Sequence, residues 1–238
     1  MKAFKWLFLV IAAYILAFVS VYSFINQRNA SRSETGSPDF SAIVVEAKTA
    51  APGPAATRYR LDARASKFMA DAERSGLLWF KGHSHRIAVR EFTGEAVLDP
   101  DSLANSSLQI TAKAASMEET GSVFTAPQKK IINKELREIV LLPDQYPDIV
   151  FKSSEVKGKS TGAGQYDLKI TGNLTLHGVT RPVTIPTKVT VTGNELRAQG
   201  DFSISRGDFN VKATSAFHGM VRVSDKVKFE FDIVGRAL

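Results

Sequence analysis

Between residues 58 and 238, apolar and polar side chains alternate with a period of two in several short runs. The clearest alternation occurs at 92–98, 108–114, 168–176 and 227–233, and the runs are bounded by Gly, Pro, Asn or Ser. Side chains of a β-strand point alternately to the two faces of a sheet, so each run predicts a strand with one buried and one solvated face. This many antiparallel strands in one chain indicate a β-barrel or a β-sandwich.

One segment between these runs has the pattern of a helix instead. Thr125 and Gln128 have the spacing of a capping box, and Pro143 ends the pattern. Between them, apolar residues recur every four positions, with two more beside them: Ile132, Leu136 and Val140, with Ile131 and Ile139. We therefore expect one amphipathic helix, packed as a lid over one end of the sheet.

The N-terminal residues predict a membrane segment. No charged side chain occurs between Trp6 and Ile25, and 20 helical residues reach about 30 Å, the thickness of the hydrocarbon core of a bilayer. A cleaved signal peptide has a shorter apolar stretch of about 7–15 residues and a small-residue cleavage site. Residues 1–26 are thus predicted to be a signal-anchor or transmembrane helix at the inner membrane with a periplasmic domain after it. The alternative is a cleaved signal and a soluble periplasmic protein.

Residues 27–57 are rich in small, polar and Pro residues and predict a flexible linker. The remaining residues, 58–238, form the predicted globular domain. The whole chain has 31 Lys and Arg against 24 Asp and Glu, and this excess is spread among many acids. A nucleic-acid-binding surface is therefore not expected.

Several classes of function are excluded by missing residues or motifs. The chain has no cysteine, which excludes disulfides, a thiol nucleophile and Cys-ligated metal sites. No nucleophile elbow, phosphate-binding glycine loop or His-Glu-x-x-His motif occurs. We therefore expect neither an enzyme nor a cofactor.

Three motifs suggest a family. They are Tyr-Pro-Asp-Ile-Val-Phe-Lys-Ser at 146–153, Thr-Gly-Asn-Leu-Thr-Leu-His-Gly-Val-Thr-Arg-Pro-Val at 171–183, and Ile-Ser-Arg-Gly-Asp-Phe-Asn-Val at 204–211. In order and spacing, over roughly 59–236, the chain resembles the YceI-like, or polyisoprenoid-binding, family of exported bacterial proteins. The resemblance implies an all-β, lipocalin-like extended antiparallel barrel of about eight strands. It also implies a lumen that holds an isoprenoid or other long-chain lipid, no catalysis, and often a homodimer.

Large rings inside such a barrel are candidates for ligand contact, although plain core packing would use the same residues. Two His and one Arg join them as polar candidates. The predicted ligand-binding residues are Trp79, Phe80, His83, His85, Phe92, Phe151, Phe202, Arg206, Phe209 and Phe217.

The histidines allow three interpretations. On an extended strand, His83 and His85 point from the same face. They could contact a lipid headgroup at the pocket mouth, lie at the surface or in the core, or bind a metal ion together with His218. His177 has the parity of Lys169 and is expected to face solvent.

Arg206 shares its parity with Phe202 and Ile204, which points it inward. An inward guanidinium needs an anionic partner, such as Asp208, Asp201 or a ligand phosphate. The sequence as a whole predicts a membrane-tethered periplasmic lipid-binding protein. The alternative is a histidine-dependent metal-binding or stress-related envelope protein.

Overall fold

The computed structural model describes residues 56–76, 80, 82–212, 215–216 and 221–238. The predicted anchor at 1–26 and all but two residues of the predicted linker lie outside this part, so that the division of the chain at these boundaries stays a prediction. Among the helices of the described residues, none has the length and apolar character needed to cross a membrane.

Eleven strands occur within the described residues. They are β1 (Thr57–Ser75), β2 (His85–Val89), β3 (Phe92–Leu98), β4 (Ser107–Lys113), β5 (Met117–Glu119), β6 (Asp148–Gly162), β7 (Gln165–Leu176), β8 (Val179–Thr192), β9 (Glu195–Ser205), β10 (Ser215–Ala216) and β11 (Val221–Ala237).

Eight of these strands close a barrel in the order β1-β3-β4-β6-β7-β8-β9-β11, with β11 paired to β1. All pairings are antiparallel. The long β1 pairs with β3 near its start, with β2 further along and with β11 over nearly its whole length, while β5 pairs with β2. The structure thus confirms the predicted antiparallel barrel of eight strands.

The alternation of side chains places the apolar face of each strand inside. In β7 the residues Leu168, Ile170 and Leu174 are buried, whereas Lys169 and Asn173 between them are exposed. The outer face carries ion pairs between strands, such as Arg197 of β9 with Asp232 of β11 at 2.5 Å. The barrel interior is therefore the apolar core, as the period of two indicates.

The predicted helix is present but ends differently. Helix α1 spans Ala126–Glu135 and begins with the predicted capping box, in which the Thr125 N–H donates to Gln128 Oε1 at 2.8 Å. It continues as a π-helical segment, Leu136–Leu141. The wider turns of a π-helix change which residues face the barrel. Leu136 and Leu141 are consequently buried, whereas Ile131 and Ile139 are exposed.

The turn between β7 and β8 corrects the expectation for His177. His177 and Gly178 have φ values of 52° and 74°, the left-handed pair of a tight hairpin turn. The His177 ring packs on Tyr146 with 4.1 Å between centroids, and neither ring nitrogen is accessible or hydrogen-bonded. The ring is therefore largely shielded from solvent, and its burial lowers the pKa of His177.

We predict that Gly178→Ala destabilises the barrel more than Gly193→Ala. Both glycines have positive φ, so both variants incur a backbone penalty of about 1 kcal/mol. At Gly178 the new Cβ would also lie 2.8 Å from Tyr146 Cε1, whereas nothing lies within 4 Å of it at Gly193. Urea unfolding of both variants measures the difference, and equal losses would contradict the steric explanation.

Candidate ligand-binding site

The barrel encloses a cavity with an almost wholly apolar lining. The space among its lining residues, about 1060 Å³, includes part of the opening to solvent. No charged side chain contributes to the lining, and its polar residues are Ser106, Ser107 and Thr187. The Thr187 hydroxyl donates to the carbonyl of Ile185, and Ser106 Oγ accepts the N–H of Asp99. The first cavity can therefore receive a hydrocarbon chain, because the hydroxyl groups of Thr187 and Ser106 are already hydrogen-bonded within the protein.

A second cavity lies against the helical segment. Ile149 lines both cavities, which places them next to each other. The side of the helix that was predicted to be apolar contributes Ile132, Leu136 and Val140 to the second cavity. Unlike the first, this cavity has titratable side chains in its lining, and they are His85, Glu135, Arg206 and Lys212.

His85 is oriented by a buried carboxylate that the sequence analysis did not identify. The Glu119 side chain is 0% exposed, and its Oε2 lies 2.8 Å from His85 Nδ1. The other oxygen, Oε1, accepts the N–H groups of Gly121 at 2.6 Å and Arg86 at 3.3 Å. The His85 ring also stacks on Phe124 with 5.2 Å between centroids. Because Nδ1 faces the carboxylate, Nε2 is the ring nitrogen available to other groups.

These hydrogen bonds determine the ionisation of Glu119. Burial alone would raise its pKa, but donation from His85 and from the N–H groups of Gly121 and Arg86 outweighs burial and holds the pKa of Glu119 below its ordinary value. Glu119 is therefore a carboxylate at neutral pH. A sequence signal for its burial exists: in β5, Glu119 has the same parity as the buried Met117.

Arg206 lies inside as predicted, but not with the predicted carboxylates. Its Nε donates to the Ser224 carbonyl at 3.2 Å and its Nη1 to the Val211 carbonyl at 2.9 Å. Asp201 pairs instead with Lys228, and Asp208 forms no ion pair with Arg206 among the described residues. Two carbonyl dipoles orient the guanidinium without neutralising its charge.

The remaining residues that were predicted to contact the ligand lie in different environments. Phe151 and Phe202 line the first cavity. Phe92 and Phe209 are buried in the core but line neither cavity, and Phe80 is 60% exposed in the connection after β1, so it does not lie in the lumen. Trp79 and Phe217 lie outside the described residues. Ligand contact by any of these residues stays a prediction.

The predicted metal alternative has partial geometry. His83 and His85 both contact the ring of Phe124, so they lie on the same side as expected. Within the described part of the chain, no group of three or more His, Asp or Glu could hold a metal ion. His218 lies outside that part, and the three-histidine site stays a prediction.

An eight-stranded antiparallel barrel with an apolar interior and a polar region beside it belongs to the class of barrels that can enclose an elongated ligand. The family model of the YceI-like domain matches residues 59–235. The chain therefore belongs to the YceI-like family, as its three motifs indicated.

Known relatives and structures agree with this assignment. A UPF0312 protein of Vibrio parahaemolyticus is 30% identical over 104 residues, which cover 44% of this chain and 49% of that protein. One from Pseudomonas paraeruginosa is 42% identical over 72 residues, covering 28% and 35%. The matched regions thus span half or less of these two relatives.

Two solved structures have the same fold. Burkholderia cenocepacia BcnA superposes with a TM-score of 0.57 at 26% identity, covering 73% of this chain and 98% of that one. A polyisoprenoid binding domain from Saccharophagus degradans gives a TM-score of 0.51 at 14% identity, covering 76% and 98%.

Proposed function

We propose that this protein binds an isoprenoid or another long-chain amphiphile in its barrel without catalysing a reaction. The observation that carries the proposal is the first cavity, an apolar space with no charged lining residue inside a closed barrel. Each buried CH₂ contributes about 0.8 kcal/mol, so a chain of about twenty carbons gains about 16 kcal/mol before the costs of association.

The family supports the same ligand class. A structural neighbour from Saccharophagus degradans is described as a polyisoprenoid binding domain, and the fold is common to both chains. At 14% identity, this neighbour supports the fold of the present chain and not its ligand. The proposed ligand class is therefore supported by the apolar lining of the first cavity in a barrel of this fold. The homodimer implied by the resemblance stays a prediction.

The location is a further part of the proposal. Residues 6–25, without a charged side chain, would anchor the chain in the inner membrane, and the barrel would lie in the periplasm. A tethered barrel is well placed to exchange a membrane amphiphile that is poorly soluble in water. Fractionation of the membranes, followed by protease treatment of intact and lysed spheroplasts, tests both the anchor and the side on which the barrel lies.

Organic extraction of the purified full chain tests the ligand. We expect mass spectrometry to detect an isoprenoid or long-chain amphiphile in stoichiometric amount. Protein that releases none, and that takes up no long-chain amphiphile when one is offered, would contradict the proposal.

A cavity-filling variant links the ligand to the lumen. Ala198 lines the first cavity, whereas Thr190 on the neighbouring strand is exposed. We expect Ala198→Phe to reduce the extracted lipid at least tenfold, because the ring occupies space that the chain needs. The matched control Thr190→Phe should keep the wild-type amount. Equal lipid in both variants would place the ligand elsewhere.

A further inference from the structure

We propose that the outer side of the helical segment docks on the surface of an anionic lipid bilayer. The docking face consists of three exposed apolar side chains and three exposed cationic side chains between them, which are Val123, Ile131, Ile139, Lys130, Lys134 and Arg137. Docking concerns the outside of the protein and does not depend on which ligand the barrel holds.

Exposed apolar side chains gather at this end of the barrel. Of the five large apolar side chains that are exposed among the described residues, three belong to the docking face, and a fourth, Phe80, lies in the connection between β1 and β2. This connection adjoins the docking face, because the His83 ring contacts the ring of Phe124, the neighbour of Val123. Val123 and Ile131 are 60% and 61% exposed. Contact of these side chains with an apolar phase would therefore be favourable.

The charges of the same segment are mainly positive. Residues 122–142 contain four cations and two carboxylates. Of the carboxylates, Glu138 pairs with Lys134 at 3.9 Å, and Glu135 lines the second cavity. Lys130 and Arg137 are exposed, and no carboxylate of the described chain forms an ion pair with either. Each cation near an anionic membrane surface strengthens binding about fivefold, so the docking face is complementary to such a surface.

This mixture of side chains fits a bilayer surface better than a protein partner. The core of a protein interface is depleted in lysine. A helix at a bilayer surface instead combines apolar side chains with flanking Lys and Arg, whose charged ends stay among the lipid headgroups. Ile131 has Lys130 beside it and Lys134 one turn further along α1. So few apolar groups bind weakly, but the anchor proposed at 6–25 would keep their local concentration at the bilayer high.

The same helical segment forms one wall of the second cavity, through Ile132, Leu136 and Val140. Docking would therefore bring that wall to the bilayer, and an amphiphile would cross only a short distance between the membrane and the barrel. This consequence rests on the proposed function, whereas docking itself does not.

Quenching of a fluorescent label by spin-labelled lipid tests the proposal on the full chain in proteoliposomes. Because the chain has no cysteine, Ser122→Cys and Asn194→Cys each provide one bimane-labelling site at an exposed position. Asn194 lies between β8 and β9, at the end of β9 away from Ile204, which lines the second cavity. In vesicles of equal parts phosphatidylglycerol and phosphatidylcholine, we expect the label at the first position to be quenched at least fivefold more than the label at the second.

Variants of the docking face assign the effect to its residues. Lys130→Glu combined with Lys134→Glu should reduce the quenching of the first label at least threefold. The matched control, Lys157→Glu combined with Lys159→Glu, reverses two charges at exposed positions of β6 and should keep the quenching. Ile131→Ser should reduce it as well. An unchanged far-ultraviolet circular dichroism spectrum shows that each variant is folded.

Three results would overturn the proposal. The first is equal quenching of the two labels, and the second is equal quenching of the first label in vesicles of phosphatidylcholine alone. The third is self-association of the chain in detergent that Ile131→Ser abolishes, without quenching in either bilayer, which would assign the face to a second copy of the chain. The lipid in the barrel is measured separately by extraction, so docking and the proposed lipid binding can fail independently.

Discussion

Phe209→Ala is expected to lower the free energy of unfolding by about 3–5 kcal/mol. Phe209 is 2% exposed and is the largest fully buried side chain of the described residues. It ends the 3₁₀ turn Arg206–Phe209, directly after β9, and packs in the same apolar cluster as Ile204 and Leu176. Removing the ring leaves a void that the closed barrel cannot collapse to fill, so the lost contacts are not recovered.

Equilibrium urea unfolding of the full chain, followed by far-ultraviolet circular dichroism, measures this loss. Ile131→Ala is the control, because Ile131 is an apolar side chain that is 61% exposed on α1, and it should change stability by less than about 0.5 kcal/mol. A loss below about 1 kcal/mol for Phe209→Ala would mean that the ring contributes little to the core. The same variant also bears on the site, since Arg206 begins the turn that Phe209 ends.

The sheet could be predicted from the sequence because its cause is local. In β7 the burial of Leu168, Ile170 and Leu174 follows directly from a period of two, and the capping box at Thr125 fixes the start of α1 by contacts between residues three apart. Closure of the barrel is not local. Closure depends on the pairing of β11 with β1, which joins residues from opposite ends of the domain, such as Tyr59 and Ala237. The family motifs indicated this closure, whereas the strand pattern did not.

The polar residues of the site could be predicted only in part from the sequence. Parity placed Arg206 inside, but its carbonyl partners belong to a turn and to β11, and no spacing predicts them. His177 was expected in solvent because parity assumes a continuous strand, whereas its left-handed φ turns the ring onto Tyr146. Glu119 was missed because β5 has three residues, so that its shared parity with Met117 can be recognised only once the bounds of the strand are known.

Glu119→Ala is expected to cost about 3 kcal/mol of stability, although its neighbour Glu118→Ala should cost less than about 1 kcal/mol. Removing the buried carboxylate leaves the N–H groups of Arg86 and Gly121 without their acceptor and releases His85 Nδ1. Within the described part of the chain, the ion pair of the Glu118 side chain is an exposed one with Arg90, at 2.6 Å. Thermal and urea unfolding of the two variants compare a buried and an exposed loss at adjacent positions of one strand. Similar losses would show that burial of Glu119 does not matter.

The pH dependence of stability separates the charge of Glu119 from its shape. Its pKa is lower in the folded protein than in the unfolded chain, so the unfolded chain binds more protons across this interval and stability rises with pH. The contribution is fully present above the ordinary value of about 4.3 and is lost as the pH falls through the folded pKa. Glu119→Gln keeps the shape but lacks the charge. We therefore expect the variant to be less stable than wild type at pH 7, and the difference between the two proteins to shrink as the pH falls below about 4.5. Parallel curves for the two proteins would mean that the carboxylate charge contributes nothing, and that His85 is held by packing on Phe124 alone.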